Sequence, residues 1–347
     1  MDKLRAVVHG TVLLLIVGWV LYIGQTILVP AVLGAVVVYV IVGLAQVFGR
    51  VPVVGPRLPE LLRYVVAVGV IALAFFMLAY LIAANKERAL ALAPQYQQSL
   101  LAAIQRGAAF FGVETEPTWA TVRGELMAQL NLQRVLTALL ASLGSMMVTL
   151  VVVFLYATFL MVERGAFENK LANLSDDPKR VARIRQVIVT INSRIGSYLA
   201  LKTLLSILLG VVSYGVMRLF GLEFAALWAV LTGFLNFVPY VGSVLGVLLP
   251  LLMTVVQFED LGTILAMLAA LSAVQFVIGN FLDPYVMGSS LNLSPFAILI
   301  SLAVWSELWG IPGAFLAVPI TAIMTIVFSE FTGTRPIAVL LSKNGKL

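Results

Sequence analysis

Apolar residues run through this chain in blocks, and polar positions punctuate them at few places. The first block is Thr11 to Val29, preceded by Lys3 and Arg5. The second, Ala31 to Phe48, follows Pro30 with almost no loop, which predicts a tight helical hairpin. Leu61 to Ala84 is the third and Gly144 to Val162 the fourth. Blocks of about 20 apolar residues match the hydrocarbon core of a bilayer. A cleaved signal peptide is the rival reading for the first block. The block is too long for such a segment, and no small-x-small cleavage site follows.

Residues 85–142 change character. Charges of both signs appear, yet apolar residues recur at helical spacing. Tyr96, Leu100, Ile104 and Phe111 form one stripe after Pro94, and Trp119, Val122, Leu126 and Leu130 another after Pro117. Two or more amphipathic helices outside the bilayer are expected there, as a surface cap or a partner-binding region. Residues 163–202 are the most basic stretch. Asp177 before Pro178 is a helix start. Val181, Ile184, Ile188, Ile191, Ile195 and Tyr198 then repeat at three- and four-residue steps. This predicts a basic helix lying among anionic headgroups or packing on a neighbour.

The pattern changes again in residues 203–330. Leu201 to Phe220 is a fifth apolar run and Thr263 to Leu282 a clean one. Phe224 to Gln257 is broken at Asn236 to Gly242, around Pro239. Phe296 to Phe328 is broken at Trp309-Gly310-Ile311-Pro312-Gly313, and again at Pro319. A helix of about 34 residues is about 50 Å long, too long for one upright crossing of about 30 Å. Each half is too short for a full one. Re-entrant hairpins and kinked, partly unwound spans both satisfy this. Proline removes a backbone donor and glycine permits the unwound turn. Freed backbone groups must face protein or water, so paired breaks point to a transport path.

Composition sharpens the class. The 347 residues are 61% hydrophobic and 11% charged, too few charges for a soluble domain of this size. There is no cysteine, and His9 is the single histidine. Cysteine nucleophiles, thiolate metal sites and histidine-based triads are thereby set aside. No phosphate-binding loop or metal-ligand cluster is visible, so no cofactor and no enzyme activity is expected. The net charge of +6 comes from lysines and arginines flanking apolar runs. That is a topology signal, not a nucleic-acid footprint. It places both termini and residues 163–202 inside, and residues 85–142 outside.

The whole reading is an all-α polytopic membrane bundle of about eight transmembrane helices. Residues 1–84 hold three spans, 143–162 the fourth, 203–330 the transport core, and 331–347 an inner tail. Carboxylates at membrane depth are functional candidates. Asp283, before Pro284, and Glu307, beside Ser306, are the two that stand out. Asp283 alternatively caps its helix or sits at the headgroup boundary. Burial would raise the pKa of Glu307 and suit it to carry a proton. Asn236, Gln275 and Asn280 are candidates to bind a polar solute or to satisfy broken backbone. Glu223 and Arg218 flank a short turn and read as interfacial. Gly242 and Gly246 have the spacing of close helix contact.

Three segments carry a family resemblance. They are Phe234-Leu-Asn-Phe-Val-Pro-Tyr-Val-Gly-Ser-Val-Leu-Gly246, Asn280-Phe-Leu-Asp-Pro-Tyr-Val-Met-Gly288 running on to Leu293-Ser-Pro295, and Trp309-Gly-Ile-Pro-Gly-Ala-Phe-Leu-Ala-Val-Pro-Ile-Thr321. In order and spacing the chain resembles the autoinducer-2 exporter family of bacterial membrane transporters. The resemblance implies an inner-membrane exporter of small signalling or metabolic solutes, assembled as a homo-oligomer, a pentamer being the implied size. Sodium/proton exchange in some relatives makes H+ or Na+ the implied coupling ion and an antiporter the alternative. A non-transporting scaffold that binds partners through 85–142 is the alternative of another class. Two positions differ from the family pattern. Ile278 stands where some members carry Glu, and Glu307 where an aromatic or small residue is usual.

Overall fold

A computed structural model describes residues 2–49, 58–110, 132–258, 260–287 and 291–346. No strand occurs among them. Helices α1 (Asp2–Ile23) and α2 (Gln25–Gly49) meet at Gly24. The Gly24 N–H donates to Val20 at 2.8 Å, and the Leu28 N–H donates to Gly24 at 2.8 Å. Helical bonding therefore passes through the junction. Pro30 lies inside α2, which corrects the expected hairpin at that proline. Its ring occupies an early turn, where the missing N–H costs one bond and the helix carries on.

Three helices outrun the apolar blocks that announced them. α3 (Glu60–Phe110) is one helix of 51 residues with Pro94 inside it. The expectation was a span ending near Ala84, followed by separate helices. The stripe explains the continuity: Ala93 and Tyr96 are buried on one face, so the helix keeps a packing surface beyond the last purely apolar turn. The second stripe, Trp119 to Leu130, lies outside the described residues. α4 covers Leu132–Ala172, bending by 50° between Glu163 and Gly165. α5 (Pro178–Leu219) joins the basic stretch and the fifth apolar run in a single 42-residue helix. Asp177 opens it as expected, its carboxylate accepting the Lys179 N–H at 2.9 Å. Along its stripe, Ile195 and Tyr198 are buried.

The remaining helices are α6 (Ala225–Leu235), α7 (Val241–Gln257) and α8 (Leu261–Phe276). A π-helical turn, Val277–Leu282, links α8 to the short α9 (Asp283–Met287). α10 (Pro295–Ser329) and α11 (Arg335–Leu341) complete the chain. Among the described residues, α2, α3, α5 and α8 with its extension are long and apolar enough to cross a membrane, and α10 is so only when its two halves are counted end to end. The bent α4 makes a sixth. Val8–Ile23, α6 and α7 are apolar but shorter. The expected count of about eight thus includes pieces that do not span alone.

The chain divides into two compact units. The first comprises residues 1–68, 149–201 and 287–347; the second comprises 69–148 and 202–286. Each contains one of the two broken runs, and the same backbone device closes both. In the second unit, a Cβ on Gly242 would overlap the carbonyl oxygen of Leu235, seven residues earlier. In the first, a Cβ on Gly313 would overlap the carbonyl oxygen of Trp305, eight residues earlier. Along a straight helix such residues stand about 10–12 Å apart. The backbone therefore folds back at both places. Only glycine admits that approach. Gly310, at φ 62° and ψ −140°, makes the reversal in α10. Tyr240, at φ 62° and ψ −58°, makes it between α6 and α7. Both broken runs are thus folded-back hairpins rather than kinked spans.

Candidate functional site

In the second unit the hairpin α6–α7 is packed on itself through small side chains. The Thr232 hydroxyl donates to the Gly246 carbonyl at 3.1 Å. Gly233 faces the Ser206 carbonyl of α5 so closely that a Cβ would lie 2.9 Å from it. This brings the end of α6, and with it Asn236, against α5. Asn236 is buried, and its amide Nδ2 donates to Ser206 Oγ at 3.0 Å. That bond fixes the amide orientation and leaves Oδ1 as the acceptor for Lys202.

Lys202 is the centre of the cluster. It is 6% exposed. Its Nζ donates to Asp283 Oδ2 at 2.8 Å and to Asn236 Oδ1 at 3.3 Å. The side chains of Lys202 and Asp283 retain 8% and 20% of their accessible surface. Asp283 arrives there through the π turn: its N–H donates to the Ile278 carbonyl, five residues back. The wider turn rotates the residues after it relative to an α-helix, and such turns concentrate at functional sites. The other oxygen, Asp283 Oδ1, is buried without a hydrogen-bond partner among the described residues. A buried carboxylate oxygen in that state is costly and calls for a donor.

The other sequence candidates fall in several places. Gln275 Nε2 donates to Ser243 Oγ at 3.0 Å, holding α8 to α7 within the same unit. Asn280 lies on the π turn and is exposed. Pro239 precedes the α6–α7 reversal, and Pro284 follows Asp283 with its ring exposed. Gly310, Pro312, Gly313 and Pro319 lie on α10 in the first unit, with Gly313 and Pro319 buried. Glu307 also belongs to the first unit and is exposed, three residues before Gly310. Near it, the Trp309 indole donates to the Leu21 carbonyl at 3.0 Å and packs against Trp305, ring centroids 5.1 Å apart and tilted by 50°. Asn236 and Asp283 thus meet, and Lys202 is what joins them.

Lys202 and Ser206 are the residues that sequence reasoning missed. Lys202 had been grouped with the basic stretch before it. A signal was present: apolar residues occupy 199–201 and 204–205 on either side, and the preceding charge, Arg194, is eight residues away. A lone lysine inside an apolar run is a functional candidate on the same ground as an acid. A second polar cluster sits elsewhere in the unit. Glu223 accepts from Arg88 at 2.8 Å and from the Tyr96 hydroxyl. Its own N–H donates to Gln257 Oε1 at 2.7 Å. Glu223 thereby ties the α5–α6 turn to the far part of α3.

Long apolar helices, two folded-back hairpins and a buried ion pair between helices define a multi-pass helical membrane protein of the transporter class. The chain belongs to the AI-2E family of transporters, whose description as an AI-2E family transporter fits residues 11–333. Among relatives, the AI-2 transport protein TqsA of Escherichia coli is 30% identical over 295 residues, 84% of this chain and 83% of its own. YhhT of Escherichia coli is 28% identical over 294 residues, 83% of this chain and 80% of its own. A protein of Borreliella burgdorferi is 36% identical over 194 residues, 56% of this chain and 53% of its own length. The chain is a membrane transporter by family.

Proposed function

We propose that this transporter is a secondary exporter of a small polar solute in the bacterial inner membrane, coupled to protons. Both termini face the cytoplasm in this reading, and the working assembly is a homo-oligomer. The polar step of the path is the cluster of Lys202, Asp283, Asn236 and Ser206; Gln275 on α8 and Asn280 on its π turn are further polar candidates along the path. The observation that carries it is the buried Asp283 oxygen lacking a donor next to a buried ammonium group. Such a group is expensive to keep at membrane depth and useful where a ligand or proton completes it. Glu307 is the second candidate proton carrier on its place three residues before the Gly310 reversal, since its exposure removes the burial expected of it.

The test is flux from reconstituted vesicles, with and without a pH gradient. Asp283→Asn is expected to abolish export, and Glu307→Gln to remove the response to the gradient. Unchanged flux in the Asp283→Asn, Glu307→Gln double variant overturns these roles.

A further inference from the structure

The hydrogen-bonding capacity of the cluster is only partly used, and what is left over has a definite chemistry. Lys202 carries three N–H donors, two of them spent on Asp283 Oδ2 and Asn236 Oδ1. Asp283 Oδ1 carries an acceptor with no donor opposite it among the described residues. One ammonium proton and one carboxylate oxygen remain, on groups 2.8 Å apart. The pair is also electrically balanced: neither group makes another ion pair among the described residues.

From this we infer that the Lys202–Asp283 pair is a recognition site for a small zwitterion, an ammonium and a carboxylate held on one carbon as in an α-amino acid. The inference rests on the transport path proposed above and names the class of solute that path takes. A singly charged ligand would satisfy one partner and leave net charge in a site shielded from water, which is costly. A neutral polyol would meet both groups with dipoles alone. A zwitterion aligned antiparallel to the pair places its ammonium on Asp283 Oδ1 and its carboxylate on the spare Lys202 proton. Both bonds are then charge-assisted, about twice as strong as neutral ones, and the total charge stays zero. Of the two side chains Asp283 is the more exposed, 20% against 8% for Lys202. Asn236 and Ser206 are positioning residues: the Asn236–Ser206 bond turns Oδ1 toward Lys202 and holds the ammonium in place.

The test uses the purified full-length protein in detergent and four probes of similar size: L-serine, ethanolamine, L-lactate and glycerol. L-serine is expected to raise the thermal midpoint by about 2–4 °C, and the other three by less. Single substitutions should then switch the preference. Asp283→Asn leaves the ammonium and should favour lactate over serine; Lys202→Met leaves the carboxylate and should favour ethanolamine. The paired variant Lys202→Met, Asp283→Asn, which strands no charge, should respond to none of the charged probes. A wild-type response to glycerol or to a single-charge probe as large as that to serine overturns the inference. So does a serine response that survives in the paired variant. Vesicle flux separates this from the transport reading. Serine binding without serine efflux overturns the path while the site stands. Glycerol efflux that depends on the pair, without serine efflux, overturns the zwitterion while the path stands.

Discussion

Lys202 and Asp283 are separated by 81 positions in sequence and lie 2.8 Å apart, nitrogen to oxygen. The contact ties the middle of α5 to the π turn after α8, and both partners are largely shielded. Removing one partner of such a pair strands the other. Lys202→Met alone and Asp283→Asn alone should each destabilise the protein by about 3–5 kcal/mol. The paired variant should lie within about 1 kcal/mol of the wild type, because apolar and amide groups replace the two charges together. Denaturant titration of the purified protein measures all three, and equal losses in the single and paired variants would contradict a direct pair.

The folded-back hairpins set a different requirement. Gly242 and Gly313 face backbone oxygens, which cannot rotate away as a side chain can. Gly242→Ala and Gly313→Ala should each cost about 3 kcal/mol. Gly215, in α5, has nothing within 4 Å of where its Cβ would stand. Gly215→Ala should therefore gain about 0.5–1 kcal/mol from helix propensity alone. Thermal unfolding in detergent ranks the three. A Gly242→Ala variant as stable as Gly215→Ala would mean the reversal near Pro239 is looser than described.

These two cases mark where the sequence was informative. The broken runs were legible because proline and glycine inside overlong apolar stretches leave few alternatives. The choice between hairpin and kink was not, since it depends on Leu235 and Trp305 carbonyls meeting glycines seven and eight residues on. The ends of α3 and α5 were misplaced for a related reason. A polar residue such as Asn85 ends an apolar block, while a helix needs only a continuing stripe, here through Tyr96. Asp283 and Asn236 were visible as polar groups in apolar surroundings. Their partner was hidden because Lys202 follows seven arginines and lysines from Arg164 onward that read as a topology signal. Glu307, on the same reasoning as Asp283, is placed in the other unit, because 24 positions along a chain say nothing about which unit a residue joins.

Tyr240 stores strain at the tip of the α6–α7 hairpin. Its φ of 62° and ψ of −58°, with the Val241 N–H donating to the Pro239 carbonyl at 2.7 Å, describe a γ-turn of the rare, strained hand. The side chain is 49% exposed, so its packing contributes little to offset the strain. Tyr240→Gly should stabilise the protein by about 1 kcal/mol, the relief of about 1–3 kcal/mol being reduced by the greater backbone freedom of glycine. Tyr240→Phe should leave stability unchanged. A loss of stability in Tyr240→Gly would mean that the ring, rather than the backbone, matters at this turn.

The last prediction concerns acid. Asp260 caps α8: its Oδ2 accepts the Thr263 N–H at 2.7 Å and the Thr263 hydroxyl at 2.9 Å. The Thr263 backbone donor, then its hydroxyl, then the Gly262 N–H hold the carboxyl below its usual range. A carboxyl with a depressed folded-state pKa binds its proton more weakly in the folded than in the unfolded chain. Its stabilisation is therefore complete above its ordinary pKa of 3.8 and fades as pH falls through the lowered value. Amide hydrogen exchange at Gly262 and Thr263, corrected for intrinsic rates, should show protection falling as pH drops from about 5 to about 2. Asp260→Asn keeps an acceptor oxygen and has no proton to gain, so its protection should be lower at neutral pH and flat across that range. A pH-dependent loss of protection in Asp260→Asn would assign the acid sensitivity of this helix start to another group.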